Sequence, residues 1–375
     1  MRRFVAQASI AAAFACNPLP TRMSQPNFPI TERPIRFALV GCGRIAENHF
    51  AALDLHSERA KLVAVCDTDA AALAKAGQRT GAATYANLEA LLAGCDVDIV
   101  VLATPSGLHA QQAIAAARAG RHVLSEKPMA TKFEDGQAMV RECREHGVKL
   151  FVVKQNRLNG TVQLVKRAID QGRFGRIYLA TVNVFWTRPQ AYYDAARWRG
   201  RWDLDGGAFM NQASHYVDLL DWLAGPVDSV HAYTGTLARD IEAEDTGVMS
   251  VRLRHGGLAS VNVTMLTYPK NLEGSITVLG EKGTVRIGGT AVNRIEHWQF
   301  DTPHEDDALV ADASYGIDSV YGPGHPLYYD NVIKTLRGEA HAQVDGYEGL
   351  RSLEVLIAGY RSARDGVRVG LPLVF

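Results

Sequence analysis

Short apolar runs and helical patterns alternate between residues 35 and 156 of the chain. The runs are apolar at nearly every position, which is typical of strands that are buried on both faces of a sheet. Segments with a helical period follow them, and Gly81 and Gly120 end two of these segments. The alternation favours right-handed crossovers and a parallel sheet. The predicted strands are residues 35–40, 61–67, 97–105, 122–128 and 149–156.

The pattern changes after residue 156, where longer segments alternate apolar and polar residues, as strands with one buried face do. These segments are residues 175–187, 245–257, 257–267 and 275–287. The links "RHGG" and "LGEKG" predict tight hairpins between them. We therefore predict an α/β protein with a doubly wound parallel sheet in residues 34–156. An α+β domain in residues 157–375 would follow, built on a large, mostly antiparallel open sheet. The proline-rich residues 1–33 are predicted to form an irregular tail.

Composition narrows the function classes. The chain has 375 residues, with 40 lysines and arginines against 40 aspartates and glutamates, so nothing favours nucleic acid or an anionic membrane as a partner. No apolar run approaches the roughly 20 residues that a bilayer-spanning helix needs. The five cysteines form no CxxC pair, which predicts reduced thiols, no metal site and a cytoplasmic protein.

The amino terminus has two interpretations. The stretch "MRRFVAQASIAAAFAC" combines a basic start with an alanine-rich segment and resembles a weak signal peptide. Alternatively, residues 1–22 are an upstream extension and translation starts at Met23. We favour the extension, because nothing downstream suggests secretion.

The segment "GCGRIA" joins the first predicted strand to the first predicted helix. Its glycines allow a tight turn and a close approach of the backbone to a pyrophosphate, and the helix start offers free N–H groups. Asp67 ends the second strand, where a carboxylate accepts hydrogen bonds from ribose hydroxyls and repels a 2′-phosphate. The pattern predicts NAD as the cofactor, although Asp67 or Thr68 is alternatively the cap of the next helix. The loop residues assigned to the cofactor are Gly41, Cys42, Gly43, Arg44 and Ile45.

Open parallel sheets bind ligands at the carboxyl ends of their strands. Burying a lysine at such a strand end costs free energy unless its charge is paired or the lysine has a function there. Lys127 is therefore either a salt-bridged strand end or a functional group placed where nicotinamide and substrate meet. The accompanying motifs favour the second interpretation. The other strand-end candidates are Thr104, Pro105, Ser106, His109, Glu126, Gln155, Asn156 and Arg157.

Residues 205–225, "DGGAFMNQASHYVDLLDWLAG", are predicted to form one helix that ends at Gly225. Asn211 and His215 are four residues apart and would share one face, with Gln212 beside them. A histidine next to an apolar stripe is usually a hydrogen-bonded core residue. A dehydrogenase that acts on an alcohol, however, needs a base to take the hydroxyl proton and a cation to stabilise the developing alkoxide. His215 and Lys127 suit these two tasks.

The motifs "GCGRIA", "TPSGLH", "SEKPMA" and GG-x3-N-x3-H resemble those of the Gfo/Idh/MocA oxidoreductases, from residue 35 to the carboxyl terminus. The resemblance implies an N-terminal Rossmann domain, a C-terminal domain whose sheet forms a homotetramer, and a sugar, inositol or nucleotide-sugar substrate. Segments such as "FVVKQNR" and "VNVFWTRPQAYYDAARWRG" are similar to one branch of the family. That branch oxidises the 3-hydroxyl of UDP-N-acetylglucosaminuronic acid on the way to surface polysaccharides such as lipopolysaccharide.

The resemblance also implies roles for single residues. Lys127 would be the lysine of the Glu-Lys-Pro motif and His215 the proton acceptor. Asn211 stands where most members have an aspartate and would instead hydrogen-bond the sugar. Glu126, Gln155, Trp198 and Arg199 would lie along the cofactor. The residues predicted to bind the anionic substrate are Lys127, Arg188, Tyr193, Asn211, Gln212, His215 and Tyr321.

Some of these assignments have alternatives. Arg188 is alternatively a surface arginine before a proline turn, and the loop that carries Tyr321 and His325 is either a lid or a connector. The whole chain is predicted to be an NAD-dependent nucleotide-sugar dehydrogenase. A free-sugar or inositol dehydrogenase of the same family and a catalytically silent NAD-binding sensor remain open. The presence of both Lys127 and His215 argues against the sensor, which would need neither.

Overall fold

The computed structural model describes residues 28–316 and 324–374 of the chain. The signal-like segment, the alternative start at Met23 and the predicted substrate residue Tyr321 lie outside the described residues. The predicted fold class is confirmed, because a six-stranded parallel sheet precedes an eight-stranded sheet that is mostly antiparallel.

The first sheet has the strand order β3-β2-β1-β4-β5-β6, and all of its neighbouring pairs are parallel. The order reverses between β1 and β4, and open sheets of this kind bind ligands in the crevice at such a point. The strands are β1 (Ile35–Val40), β2 (Ala60–Cys66), β3 (Ala83–Tyr85), β4 (Ile99–Leu102), β5 (His122–Ser125) and β6 (Leu150–Val152). The helices are α1 (Ala46–Leu55), α2 (Ala70–Thr80), α3 (Leu88–Gly94), α4 (His109–Arg118) and α5 (Phe133–Glu145).

The central strands β4 and β5 are buried at every position, as their apolar runs predict. The sequence pattern misses β3, because its three residues include the exposed Ala83 and Thr84. It also places strand ends too far along the chain. After Leu102 the backbone leaves the sheet and forms a 3-10 turn at Ser106–Leu108, so the polar residues lie on loops above the strand ends.

The second sheet has the order β13-β12-β11-β7-β10-β9-β8-β14, in which only β7 and β10 pair in parallel among the described strands. Both predicted hairpins are confirmed, one between β9 and β10 and one between β11 and β12. Its strands are β7 (Ile177–Phe185), β8 (Val227–Gly235), β9 (Thr246–Leu253), β10 (Leu258–Thr264), β11 (Glu273–Gly280), β12 (Gly283–Gly288), β13 (Arg294–Phe300) and β14 (Val369–Gly370). The accompanying helices are α6 (Gly160–Asp170), α7 (Gln190–Asp194), α8 (Ser214–Ala224), α9 (Val310–Ala313), α10 (Gly324–Leu336) and α11 (Gly346–Asp365).

The single helix predicted over residues 205–225 is wrong in its first half. Ala208–Gln212 form a π-helical turn, closed by a hydrogen bond from the Ala213 N–H to the Ala208 oxygen, and α8 begins only at Ser214. The cause lies in the buried Glu244, whose Oε1 accepts the Phe209 N–H at 2.8 Å. A Cβ on Gly207 would stand 1.7 Å from Glu244 Oε2, so the glycine lets the carboxylate reach the start of the turn.

The last two helices return to the first sheet. α10 packs on α1, with the Tyr329 hydroxyl 2.8 Å from His49 Nδ1, and α11 packs on α5 and β6. The two halves of the chain also touch through backbone at the loop after β4, where the Gly107 N–H donates to the Leu204 oxygen at 3.0 Å. The loops above the strand ends of the first sheet therefore face residues of the second half.

Thiols and membrane segments bear on two further predictions. Cys42, Cys66, Cys95 and Cys143 are free thiols, whereas Cys16 lies outside the described residues. Within residues 28–316 and 324–374, no helix combines the length and the apolar character that a membrane crossing requires.

The close contact of Gly107 with the Asp203 backbone can be tested for its contribution to the stability of the protein. A Cβ on this residue would stand 1.8 Å from the Asp203 backbone oxygen, which cannot move as a flexible side chain would. We expect Gly107→Ala to lower the free energy of unfolding in urea by about 1–3 kcal/mol. Gly370→Ala is the control, because no atom lies within 4 Å of its added Cβ. Equal stabilities of the two variants would contradict this account of the contact.

Candidate active site

The turn between β1 and α1 brings backbone to the crevice of the first sheet. Gly41 has a φ of +96°, and a Cβ there would lie 2.6 Å from the Ala103 carbonyl, so this position admits only glycine. Nothing lies within 4 Å of a Cβ added to Gly43, which faces open space. α1 starts three residues later, with its first N–H groups at the turn. The turn therefore fits a dinucleotide pyrophosphate.

Asp67 lies beside this turn at the end of β2. Its Oδ2 accepts the Cys42 N–H at 2.6 Å and its Oδ1 accepts the Asp69 N–H at 2.8 Å. The alternative in which Asp67 or Thr68 caps α2 is wrong, because Asp69 accepts the N–H groups of Ala71 and Ala72 at the start of that helix. The half-buried Asp67 carboxylate keeps lone pairs for further donors such as ribose hydroxyls.

His109 ties two strand-end loops together. The ring is fully buried, and its nitrogens lie 2.9 Å from the Thr104 oxygen and 3.0 Å from the Pro128 oxygen. Burial lowers the pKa of the imidazole, and the contacts with these two carbonyl oxygens oppose this effect. His109 thus braces the loops after β4 and β5, and a direct contact with NAD stays a prediction. Ser106 is buried in the same loop, next to Pro105.

Glu126 lies at the end of β5 within a buried polar cluster. Its Oε1 is 3.3 Å from His49 Nε2 and 3.5 Å from His325 Nε2, and its Oε2 accepts the Lys127 N–H at 3.1 Å. Burial would raise the pKa of this carboxyl, but His325 and His49 outweigh it and hold the pKa well below its usual value. The charge of Glu126 is therefore fixed directly under Lys127.

The same three residues are the one group in the described part of the chain whose histidine, cysteine and carboxylate atoms converge closely enough to hold a metal ion, within 4.8 Å of one another. Two contacts hold His49 within this group. Its Nδ1 lies 2.8 Å from the Tyr329 hydroxyl, and its Nε2 lies 3.3 Å from Glu126 Oε1 without a hydrogen bond to any described residue. His325 is thus a buried partner of Glu126 at the start of α10.

Lys127 connects the two halves of the chain. Its Nζ donates to the Asn211 backbone oxygen at 3.1 Å, so the end of β5 meets the π-helical turn that precedes α8. Burial lowers the pKa of Lys127, and the carboxylates of Glu126 and Asp205 oppose this effect. The alternative of a lysine paired only at its own strand end does not hold, because its hydrogen-bond acceptor comes from the second half of the sequence.

His215 begins the first turn of α8, four residues after the acceptor of Lys127. The residue is buried, and neither ring nitrogen has a hydrogen-bond partner among residues 28–316 and 324–374, unlike a hydrogen-bonded core histidine. Burial holds the pKa of His215 well below its usual value, and the charges of Lys127 and Lys154 lower it further. The imidazole is thus neutral at pH 7, with a free nitrogen lone pair that is able to accept a proton.

Arg188 follows β7 and lines the same region. Its Nε donates to Gln212 Oε1 at 3.1 Å and its Nη1 to the Thr187 oxygen at 2.8 Å, and its guanidinium lies 5.2 Å from the Trp186 ring centre. The residue is half-buried, so the alternative of a plain surface arginine is wrong. A guanidinium fixed in this way is suited to carboxylate or phosphate.

Trp198 and Arg199, predicted to touch the cofactor, share one segment with predicted substrate residues. The Arg199 guanidinium lies 4.3 Å from the Tyr192 ring centre and 5.5 Å from that of Trp198, and its Nη1 donates to the Tyr192 oxygen at 2.6 Å. Tyr193 is buried next to them, and burial raises the pKa of its hydroxyl above the usual value. Their cofactor and substrate roles stay predictions.

Gln155 lies in the loop after β6, where its side chain is buried and its Oε1 has no hydrogen-bond partner in the part of the chain that the structure describes. A buried acceptor without a donor is costly, and a ligand N–H or O–H would satisfy it. The loop and the start of α10 pack closely, because a Cβ on Gly324 would stand 2.5 Å from the Gln155 backbone oxygen.

Sequence patterns missed two charged residues under the site, Lys154 and Asp205. Lys154 is buried at the end of β6, 3.8 Å from Asp218 Oδ1, and burial lowers its pKa to about 8. Arg157 donates two hydrogen bonds of 2.8 Å to the same carboxylate. Asp218 lies in α8, one helical turn after His215. The signal for Lys154 was the one that drew attention to Lys127, a lysine at the end of a buried strand. Asp205, also buried, had no sequence signal.

Comparison with known proteins identifies relatives over nearly the whole chain. Residues 35–154 match the model of the NAD-binding Rossmann fold of the Gfo/Idh/MocA oxidoreductases, and residues 166–371 match the C-terminal α/β domain of that family. The 1-carboxy-3-chloro-3,4-dihydroxycyclohexa-1,5-diene dehydrogenase of Comamonas testosteroni is 32% identical over 66% of this chain, and the match spans 63% of that relative's length.

Two solved structures are much more similar. The WlbA dehydrogenase from Bordetella pertussis, in complex with NADH and UDP-GlcNAcA, is 67% identical with a TM-score of 0.91, covering 92% of this chain and 100% of that one. The WlbA dehydrogenase from Chromobacterium violaceum, in complex with the same two ligands, is 66% identical with a TM-score of 0.89, covering 92% and 99%. The chain belongs to the Gfo/Idh/MocA oxidoreductase family.

Proposed function

We propose that this protein uses NAD to oxidise the 3-hydroxyl group of UDP-N-acetylglucosaminuronic acid (UDP-GlcNAcA) to a ketone. The observation that carries the proposal is the contact of Lys127, at the end of β5, with the segment that leads into His215. This contact supports a site in which a cation and a neutral base lie beside the strand ends of the NAD-binding domain. The two WlbA dehydrogenases that hold NADH and UDP-GlcNAcA support the choice of substrate.

The proposed chemistry divides between two side chains. NAD, when bound, supplies the hydride acceptor for the hydrogen on C3. His215 takes the hydroxyl proton, for which its neutral ring and unpaired nitrogens suit it. Lys127 orients the hydroxyl group and stabilises the negative charge that grows on its oxygen. The hydroxyl proton and the hydride thus leave oxygen and carbon respectively, and a carbonyl group remains.

The residues around this pair match an anionic nucleotide sugar. Arg188 is proposed to hold a carboxylate or phosphate oxygen, and Asn211 and Gln212 to bind sugar hydroxyls through their amides. Tyr193 is proposed to contribute to the same wall, and so is Tyr321, which lies outside the described residues. Gln155, Trp198 and Arg199 stay proposed neighbours of the cofactor.

Assembly and cellular role belong to the same proposal. The open face of the second sheet carries Tyr233 and Val248, which lie opposite each other in the register of β8 and β9 and are 67% and 46% exposed. Exposed apolar side chains on one sheet face favour an interface between subunits. We propose a cytoplasmic homotetramer that acts in the biosynthesis of surface polysaccharide.

The role of Lys127 is testable by substitution. We expect Lys127→Met to lower kcat for UDP-GlcNAcA oxidation by roughly 100- to 1,000-fold, because the growing alkoxide loses its cation. The measurement is NADH absorbance under saturating NAD and sugar. Lys132→Met, at an exposed position five residues further on, is the matched control and keeps the parental rate. Parental turnover by Lys127→Met would refute the assignment.

Asp67 determines the cofactor preference in this proposal. Asp67→Asn keeps an acceptor for the Cys42 N–H but removes the charge that repels a 2′-phosphate. We expect the ratio of kcat/KM for NAD to that for NADP to fall by about tenfold, or about 1.4 kcal/mol. Asp69→Asn changes the cap of α2 and leaves this ratio as in the parent protein. An unchanged ratio in Asp67→Asn would exclude a ribose role.

The proposed nucleotide-sugar dehydrogenase, a free-sugar dehydrogenase and a silent NAD-binding sensor differ in the ligands that they bind and convert. Calorimetry with the NADH-bound protein should show binding of UDP-GlcNAcA and at least roughly 100-fold weaker binding of the free sugar acid, which lacks the charged diphosphate that an arginine can hold. Equal affinities would favour a free-sugar dehydrogenase. Binding of NADH together with no turnover of any UDP-sugar would favour the silent sensor.

A further inference from the structure

Asp205 is a buried carboxylate next to the proposed substrate residues. Its Oδ2 accepts the Gly200 N–H at 2.7 Å, and its Oδ1 accepts the Nδ2 group of Asn211. The backbone oxygen of Asn211 is in turn the acceptor of Lys127 Nζ. Asp205 therefore lies one hydrogen bond away from the residue that holds the catalytic lysine.

The hydrogen bonds continue beyond Asn211 to an arginine. The Nε2 group of Gln212 donates to Asn211 Oδ1 at 3.0 Å, and Arg188 Nε donates to Gln212 Oε1 at 3.1 Å. The amide chain defined by Asp205, Asn211, Gln212 and Arg188 thus runs from a buried carboxylate to a half-buried guanidinium. Its three later members are partly accessible, whereas Asp205 is closed off from solvent.

The two ends of the amide chain give it a direction. An ionised carboxylate only accepts hydrogen bonds, and a guanidinium only donates them. The two amides between them can each turn over and exchange oxygen for nitrogen. With both ends fixed, only one orientation of each amide satisfies every contact, with Asn211 Nδ2 toward Asp205 and Gln212 Oε1 toward Arg188.

We infer that Asp205 is a positioning residue whose ionised carboxylate sets the direction of the amide chain and thereby decides which atoms Asn211 and Gln212 present to the nucleotide sugar. The inference rests on the proposed function, in which these amides and Arg188 bind the substrate. Beyond the chain, the second Gln212 N–H donates to the Tyr192 hydroxyl at 3.3 Å. Asn211 keeps one N–H, and each amide oxygen keeps one lone pair, and these are the positions that the sugar hydroxyls meet.

Asp205 is ionised under ordinary assay conditions. Burial raises the pKa of its carboxyl to about 6, against the opposing hydrogen bonds from Gly200 and Asn211 and the charges of Lys127 and Arg199. At pH 8 the Asp205 carboxylate therefore accepts hydrogen bonds and donates none, as the direction of the amide chain requires.

Substitution of Asp205 by asparagine prevents the hydrogen bonds of the amide chain from all forming at once. In Asp205→Asn the new oxygen accepts the Gly200 N–H and the new NH₂ group faces Asn211 Nδ2, so two donors meet. If Asn211 turns over, the conflict moves to Gln212. If Gln212 also turns over, the conflict moves to Arg188, which has no acceptor to offer. One donor–donor contact persists in every arrangement.

Exchanging the two residues removes the conflict. In the double variant D205N/N211D, the new amide oxygen at position 205 accepts from Gly200, and the new NH₂ group donates to the carboxylate at position 211. The second oxygen of that carboxylate accepts from Gln212, whose Oε1 still accepts from Arg188. Every contact of the amide chain again pairs a donor with an acceptor. The hydrogen bond between positions 205 and 211 is reversed, the other bonds keep their direction, and the charge has moved by one side chain.

The test compares D205N, N211D and D205N/N211D at pH 8 with NAD and UDP-GlcNAcA. We expect D205N to lose roughly 10- to 100-fold in kcat/KM, mainly through KM, because the groups that contact the sugar are disordered. N211D places two acceptors face to face and loses activity as well. The double variant should regain at least about tenfold over D205N. D203N, a matched change at an exposed position of the same loop, keeps the parental constants.

The split between KM and kcat separates positioning from mere destabilisation. Partial unfolding lowers the amount of active enzyme, and so the apparent kcat, at unchanged KM. A D205N enzyme with the parental KM, or a double variant no better than D205N, would overturn the inference. If D205N does not fold, the double variant is judged against N211D by the same criterion.

A measurement without substrate separates this inference from the proposed function. Urea unfolding of the same variants forms a double-mutant cycle, in which the exchange should recover stability that each single change loses. A parent protein that does not oxidise UDP-GlcNAcA would refute the proposed function, whereas the cycle reports on the amide chain alone. Additive losses in the cycle would refute the directional amide chain.

Discussion

The site depends on one constraint, which is that the half-buried ammonium group of Lys127 needs compensating partners. Glu126 supplies a negative charge from the end of the same strand, and two histidines from α1 and α10 hold that charge in place. Asp205 supplies a second charge, and the Asn211 carbonyl accepts the hydrogen bond, both from the other half of the chain. Pairing the lysine therefore requires the two halves to meet where the strand ends of the first sheet open.

Close backbone packing makes this meeting possible. Gly107 lets the loop after β4 approach residues 203–204, and Gly207 lets the buried Glu244 reach the start of the π-helical turn. The turn in turn directs the Asn211 carbonyl to Lys127 and sets the start of α8, on which His215 lies. Glycines that have no contact with a ligand thus contribute to the position of the base and of the cation.

The sequence was sufficient for the parts of the molecule that local patterns determine. Runs of apolar residues predicted the parallel sheet, and "GCGRIA" with Asp67 predicted the dinucleotide turn. Both predictions were possible because each sequence signal lies within a few residues of the structure it produces. The π-helical turn at Ala208–Gln212 was not predictable in this way. Its cause is Glu244, more than 30 residues away, and a glycine pair alone does not reveal which atom needs the space. Asp205 was missed for the same reason, since its importance comes from Asn211 and Lys127 rather than from its neighbours in sequence.

The separation of charges explains why a neutral amide at position 211 suits the proposed chemistry. A carboxylate at that position, four residues before His215, would stabilise the protonated imidazole and raise its pKa, so a smaller fraction of the base would be neutral at pH 7. With the charge at Asp205 and an amide between, the negative charge acts on the lysine, whose ammonium form it stabilises. Burial and the cations Lys127 and Lys154 lower the pKa of His215 and outweigh the opposing charge of Glu126, so the imidazole is neutral. A cation and a neutral base can therefore coexist within one closed site, because the amide of Asn211 passes on the orientation set by Asp205 without passing on its charge.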